Sequence, residues 1–396
     1  MGALENIRVL DLSTMLSGPF GSQMLGDLGA EVIKIETPSG DGTRIYQPHF
    51  SKGTSMYFMA YNRNKKSVVI NLKTAEGKQA FYDLVKTADV VWDNFRPGIT
   101  KKLGIDYETL KTINQSIICA SITGFGTGNP YGNRPSYDLC VQAESGVLAM
   151  TGEKDRPAVK LGVPMGDLGG GWYAVVGVLA AIIERERTGK GQFVDVGMLD
   201  TLVSLHGYEG VYYLFSGIVP ERLGTAHRNT VPYQTFRTKD IDIAIVCGLD
   251  KFWFALCKAI GIDEATAEKY GTMKLRYDFR EEVVNMVQNV LLTDVAENWV
   301  KKLDEAGVPC GAVNPLDRAF ENPALKERDM VISVDNQGET IRLIGNPIKM
   351  SASKQEYACP PQLGEHTVEV FKSIGYTDEK IKSLEECGAI EDSKKK

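Results

Sequence analysis

At 396 residues the chain is long enough to bury a large core and to form two domains. Hydrophobic residues make up 43% and charged residues 24%, the balance of an ordinary globular protein. Lys and Arg total 45 against 51 for Asp and Glu, so the net charge is −6; this argues against a nucleic-acid binder, though a local basic patch for phosphates remains open.

The seven cysteines (Cys119, Cys140, Cys247, Cys257, Cys310, Cys359, Cys387) form no C-x-x-C pair. They read as buried, reduced thiols of a cytosolic protein and not as a metal site or disulfide frame. The N-terminal segment has no basic start followed by an apolar core and cleavage site, so no signal peptide is expected. No membrane span is expected either.

In chain order, Ile7–Leu12 is a short β-type run, Pro19–Leu28 has helical spacing and Glu31–Ile35 is strand again, a parallel βαβ pattern. Gly18, Gly21, Gly26 and Gly29 do not spell G-x-G-x-x-G, so a nicotinamide dehydrogenase is disfavoured. A Gly/Pro/Ser/Thr-rich loop covers 36–55 and contains Arg44 and His49; Tyr57 follows it. Arg63, Lys65 and Lys66 then precede the strand Val68–Leu72. They read either as a solvated face or as a dock for a phosphate-bearing ligand. A helix over Lys73–Thr87 leads to the strand Asp89–Trp92, which runs into Asn94-Phe95-Arg96-Pro97-Gly98. This is a turn by composition, or a seat for a purine and its phosphates at a strand's carboxyl end. Lys101 and Lys102 follow in a helical segment. Ser116–Thr123 is strand, 124–138 is loop with Tyr137 and Asp138, and Leu139–Met150, with Gln142, is mostly helical.

The stretch from Val163 to Gln192 stands apart. It has one carboxylate at its mouth, Asp167, then Gly169, Gly170 and Gly171, then a run over Trp172–Ile183 without a charge. That run reads as a helix buried on every side. It is too short by itself to span a bilayer. Asp167 reads either as a helix cap or as a functional carboxylate. Beyond it come a strand at Gln192–Val196, a helix over Leu199–Phe215 and a linker punctuated by Gly and Pro. A smaller α/β module covers 235–313, a polar linker follows, and strand-like segments resume at 331–334 and 340–344. The expected organisation is a large doubly wound, Rossmann-like domain from 1–205 and 330–396, linkers at 206–234 and 314–329, and a small domain at 235–313. Ser393–Lys396 reads as a solvated end.

Taken together, Gly26-Asp27-Leu28-Gly29-Ala30-Glu31-Val32-Ile33-Lys34-Ile35-Glu36, Asn64-Lys65-Lys66-Ser67, Asn94-Phe95-Arg96-Pro97-Gly98, Gly166-Asp167, Arg187-Thr188-Gly189-Lys190-Gly191-Gln192 and Leu363-Gly364-Glu365-His366-Thr367 resemble, in this order, the class III CoA-transferases. These are the CaiB/BaiF group that includes formyl-CoA and carnitine CoA-transferases. The resemblance covers nearly the whole chain. It implies a ring-shaped monomer interlocked with a second copy in a homodimer. It places the catalytic carboxylate on Asp167 and CoA contacts on Asn94, Phe95, Lys65 and Lys102. Tyr57, Tyr137, Asp138 and Gln142 fall at the reaction site. Acyl-CoA and a small carboxylic acid are implied as substrates, with no tightly bound cofactor. The family's basic residue after Glu36 is Thr37 here, and a site glutamine is Leu16, so those two contacts differ.

The implied reaction suits an aspartate, which is ionised at neutral pH with a reference pKa of about 3.9 and can attack a thioester without a general base. Gly169 to Gly171 are expected to offer backbone N–H groups to the developing oxyanion and room for the acyl group. An α-methylacyl-CoA racemase, which shares the fold, pairs its Asp with a His, because removing and returning an α-proton needs two acid–base groups. The matching position here is Tyr137, and tyrosine, at about 10, is a poor base. A non-catalytic CoA-binding protein would have no need of Asp167. The segment from Leu223 to Gln234 resembles members that use succinyl-CoA and other dicarboxylates, with Arg228, aided by His227 or Arg44, as the expected partner of a distal carboxylate.

Overall fold

A computed structural model describes residues 2–392, so the terminal segment 393–396 lies outside the described residues. The chain divides into two compact units. Of the described residues, the first comprises 2–147, 161–217 and 326–392, and the second 148–160 and 218–325.

The first unit is built on β1 (Arg8–Asp11), β2 (Glu31–Glu36), β3 (Lys65–Ile70), β4 (Val90–Asp93), β5 (Ile118–Thr123) and β6 (Phe193–Gly197). They lie in the order β3-β2-β1-β4-β5-β6, all parallel, and the C-terminal strand Ile390–Glu391 adds antiparallel to β3. Parallel strands are covered on both faces, which is why β4 and β5 are buried at every position. One face packs against the helix Ala75–Val85 through Phe81, Leu84 and Val85, and against Val370 and Phe371. The other is covered by α1 (Ser17–Asp27) and a 24-residue helix described below.

The chain winds outward from β1 through β2 to β3, then returns to place β4 on β1's other side. The loops leaving β1 and β4 therefore diverge, and such a switch point opens a crevice at the carboxyl ends of the strands. The sheet order is thus Rossmann-like although the glycine fingerprint is missing. The short helix α2 (Met56–Tyr61) and α3 (Asp138–Glu144) flank this edge in sequence.

The long helix α4 (Met165–Thr188) is followed by α5 (Met198–Ser204) and α6 (Tyr208–Ser216). By length and composition alone α4 is long and apolar enough to cross a bilayer, contrary to the shorter run expected from sequence. It lies instead on the sheet and α1, burying Ala174, Val175, Val178 and Ala181. Nor is it buried on every side. Trp172, Tyr173, Val176 and Ile183 are exposed, and so are Tyr212, Leu214 and Phe215 of α6. The expected linker at 206–234 is also corrected, because its first part forms α6 in this unit and the chain enters the second unit at Ile218.

The second unit holds a three-stranded antiparallel sheet of Tyr233–Phe236, Ile243–Val246 and Cys310–Ala312. Its core is built from Trp253, Leu256, Val283, Val287, Leu291, Trp299 and Leu303.

Candidate active site

The glycines after Asp167 are there for close approach. A Cβ on Gly169 would meet Thr201 Cγ2 at 2.6 Å, one on Gly170 would meet Ile122 Cγ2 at 3.1 Å, and one on Gly171 would meet the Ser17 carbonyl oxygen at 2.9 Å. They let α4 sit directly on α5, β5 and α1. They also lie inside the helix, where their N–H groups close the i→i−4 ladder. The expectation that Gly169, Gly170 and Gly171 supply oxyanion donors is therefore corrected. Their absent side chains are what the packing needs.

Asp167 is not a cap. Pro164 holds the N-cap position and Asp167 is the third helical residue. The helix mouth is capped from outside, by Asp138 at the start of α3, whose Oδ1 accepts from Gly166 N–H at 2.8 Å. Gln142 donates its amide to Asp138 Oδ2 and accepts from Leu161 N–H at 3.0 Å. Both ends of this buried amide are occupied, so the expected substrate contact at Gln142 becomes a support for Asp138.

Two effects act on the Asp167 carboxyl in opposite senses. Burial, and then the negative charge of Asp138, push it up from the ordinary 3.8 to about 7, while the polar Ser17 hydroxyl opposes the rise. The ionised nucleophile assumed from sequence is thus only partly ionised near neutrality. If Asp167 must be charged to react, the rate climbs about tenfold per pH unit up to about pH 7 and levels off above it. A pH profile of the first turnover checks this, and a profile flat from pH 5 to 8 contradicts it.

Beside Asp167 lies an aromatic row. Tyr57 meets Tyr46 at 5.4 Å between centroids and Tyr61 at 5.9 Å, and Tyr61 meets Phe20 at 6.3 Å. Burial, together with the Asp167 charge, raises both the Tyr57 and the Tyr61 phenol, with neighbouring Tyr61 also acting on Tyr57. Both therefore stay protonated. Sequence reasoning misses Tyr61, although it stands four residues after Tyr57 and so on the same face of a helix.

The expected CoA contacts divide. Lys102 is exposed in the helix Ile99–Leu103, and Phe95 is half-buried against the core, lining a cavity of 220 Å³ with Arg96, Tyr107 and Thr123. Lys65 is corrected. Its ammonium is buried and donates to Asp11 Oδ2 (3.0 Å), the Pro19 carbonyl (3.0 Å) and Asn62 Oδ1 (2.9 Å), which uses all three protons. Asn94 is corrected too. Its Oδ1 accepts from Thr14 N–H at 2.9 Å, and its Nδ2 donates to the Thr14 carbonyl at 2.7 Å and Ser17 Oγ at 3.3 Å. It ties the β4 loop to the β1 loop across the switch point.

Arg44 is likewise withdrawn as a substrate ligand. It forms a bidentate pair with Glu36 (2.8 and 2.6 Å), donates to the Pro361 carbonyl and lies 3.7 Å over the Phe58 ring. Tyr137 is 66% exposed. Arg228 is half-buried in the second unit, where the His227 ring stacks on Tyr233.

A parallel sheet with a half-buried carboxylate near its switch point marks a candidate site of an α/β enzyme. The family model described as CoA-transferase family III matches residues 4–367, and the chain belongs to that family. It is 36% identical to the succinyl-CoA:glutarate CoA-transferase of Mus musculus over 99% of this chain and 91% of that one. It is 37% identical to the succinyl-CoA:mesaconate CoA-transferase of Haloarcula marismortui over 95% of this chain and 97% of that one. Among solved structures, a CaiB/BaiF family protein from Brucella suis aligns with a TM-score of 0.85 at 36% identity, covering 94% of this chain and 99% of that one. The protein is a family III CoA-transferase.

Proposed function

We propose that this enzyme moves CoA from succinyl-CoA or another short dicarboxylyl-CoA to a free dicarboxylic acid, with Asp167 as the nucleophile. The observation that carries the reading is a half-buried carboxylate with a raised pKa in the first turn of α4, whose mouth Asp138 caps from outside. Asp167 attacks the thioester carbonyl; the C–O bond forms, the C–S bond breaks and the CoA thiolate leaves a mixed anhydride. The thiolate attacks the Asp167 carbonyl, releasing the donor acid as its carboxylate and leaving an aspartyl-CoA thioester. The acceptor carboxylate repeats the two steps in reverse. No proton changes hands, so no base is needed. The half-buried, aromatic surroundings keep water from the anhydride.

The position that carries the racemase's base is Tyr137, an exposed residue here. Within the first unit, His206 is tied to the Ser145 carbonyl and His366 accepts from Ser67 N–H. Phe95 and Lys102 retain the surface needed to meet CoA. The names of the relatives support dicarboxylate substrates, and Arg228 is proposed as partner of the distal carboxylate from the resemblance of the segment Leu223–Gln234 alone. Succinyl-CoA and butyryl-CoA are to be compared as donors in the wild type and in Arg228→Ala. The expected result is a wild-type preference for succinyl-CoA that falls by about 10–100-fold in the variant, the effect of one charge-assisted pair. An unchanged preference removes Arg228 from this role.

A homodimer, interlocked as in the family, is the proposed assembly. The exposed apolar residues of α4 and α6, among them Val176, Ile183, Leu214 and Phe215, support it, as side chains a second copy would cover. Light scattering that finds a monomer at micromolar concentration speaks against it. Seven free thiols, of which Cys140 and Cys387 are exposed and not buried as expected, support a reducing, cytoplasmic setting, and a fractionation placing the protein in an oxidising compartment overturns that assignment.

A further inference from the structure

We infer that Gln142 is a positioning residue for the nucleophile: through Asp138 it fixes the first turn of α4, and with it the place from which Asp167 attacks. The inference rests on the reading of Asp167 as the nucleophile.

Helix α4 begins without a cap of its own. Pro164 at the N-cap makes no side-chain bond to the helix, and the N–H groups of a first turn have no partner inside it. Gly166 N–H is one of these, and the next residue is Asp167. Its partner comes from α3, where Asp138 Oδ1 accepts at 2.8 Å. A Cβ on Gly166 would stand 2.9 Å from that same oxygen and 2.9 Å from Val141 Cγ2, so the bond needs a glycine here. On the far side of Asp167, Gly169 rests on Thr201 of α5, whose hydroxyl donates to the Gly197 carbonyl at 2.9 Å. Asp167 therefore lies between a turn seated on α5 and a turn held only by Asp138.

Gln142 decides how Asp138 stands. It is one turn along α3 and fully buried. Leu161 N–H can only donate, so it turns the amide oxygen of Gln142 towards itself, at 3.0 Å, and leaves the amide nitrogen to donate to Asp138 Oδ2. The chain of bonds runs in one direction, and no flipped amide satisfies both ends. Attack needs the reacting atoms about 3–3.5 Å apart, and a misplacement of about 1 Å costs about 100-fold in rate. A slack chain acts on Asp167 in this way without touching the substrate.

The direction of the chain supplies the test. Asp138→Asn and Gln142→Glu each keep the size of the side chain and each break one link. In the first, two amide nitrogens face each other, or, after a flip, an amide nitrogen faces Leu161 N–H. In the second, two carboxylates meet. In the double variant the amide and the carboxylate have exchanged places. The amide oxygen at 138 still accepts from Gly166, its nitrogen donates to the carboxylate at 142, and that carboxylate accepts from Leu161.

Single-turnover release of CoA from succinyl-CoA is measured at pH 8, where Asp167 is largely ionised, with hydroxylamine trapping, mass spectrometry and melting temperature alongside. Each single variant is expected to lose about tenfold or more in rate, with KM for succinyl-CoA within about twofold, and the double variant to recover most of the rate. Recovery by exchange is a result that loss of packing does not produce. Should Gln142→Glu not fold, Gln142→Leu removes the same link without adding a charge. Folded single variants with the wild-type rate overturn the inference, and so does a double variant as slow as the singles, provided that Asp167 is labelled in the wild type. Failure to label Asp167 in the wild type overturns the nucleophile reading, and this inference with it.

Discussion

Asp167→Asn is expected to lose at least about 10⁴-fold in CoA transfer, the scale on which removal of a covalent nucleophile is felt. An amide oxygen is too weak a nucleophile to open a thioester, so acyl-CoA still binds and the first step fails. The same substitution is expected to make the protein more stable. The folded-state pKa of Asp167 lies above the ordinary value, so the group favours folding below about pH 4 and loses that contribution as pH rises through about 7. At pH 8 the wild type holds a buried charge that the amide does not. The expected gain in the variant is up to about 4 kcal/mol, three pH units at about 1.36 kcal/mol each, and it vanishes near pH 4. Urea melts at the two pH values check it. A variant that is inactive but no more stable at pH 8 means that the carboxylate is not under this strain.

Lys65→Met is expected to act through folding and not through CoA. Lys65 and Asp11 face each other 3.0 Å apart with neither side chain exposed. Burial alone would raise the Asp11 carboxyl, but Lys65, Lys34 and the hydroxyls of Ser13 and Ser22 outweigh it and hold the carboxyl down to about 2. Removing one partner strands the other charge in the core, which costs about 3–5 kcal/mol. The lost bond to the Pro19 carbonyl also loosens α1. The outcome expected is a large fall in melting temperature, with KM for acyl-CoA near normal in whatever remains folded. A normal melting temperature with KM raised about tenfold or more restores Lys65 as a CoA contact.

Lys65 and Asn94 show where sequence reading stops. Both belong to motifs that mark the family, but only Asn94 follows the carboxyl end of a strand, where ligands bind, whereas Lys65 opens one. Their polarity is spent inward, however, and a residue's type does not tell whether its hydrogen bonds go to ligand or to backbone. The strands, the long helix and Asp167 at its mouth are legible in the sequence because period, glycine punctuation and charge-free runs are local. The position of Asp138 as the external cap of α4 is not, since it joins residues 28 apart in sequence through a fold-dependent contact. The pKa of Asp167 is hidden for the same reason. A carboxylate's reference value describes water, whereas burial and Asp138 are properties of the fold. The glycines after Asp167 stand out at the right place, but their role is packing and not oxyanion binding, because an N–H beyond the first turn of a helix is already bonded.

A covalent intermediate at Asp167 is the centre of the proposed mechanism. The most direct measurement incubates the enzyme with succinyl-CoA and no acceptor, quenches with hydroxylamine, and maps the modified residue by mass spectrometry, with a parallel sample in D₂O. The prediction is a hydroxamate on Asp167 alone, absent from Asp167→Asn, and no deuterium at the α-carbon of recovered acyl-CoA. An unmodified Asp167 together with deuterium at the α-carbon contradicts it and makes the enzyme a proton-transfer catalyst on the same fold.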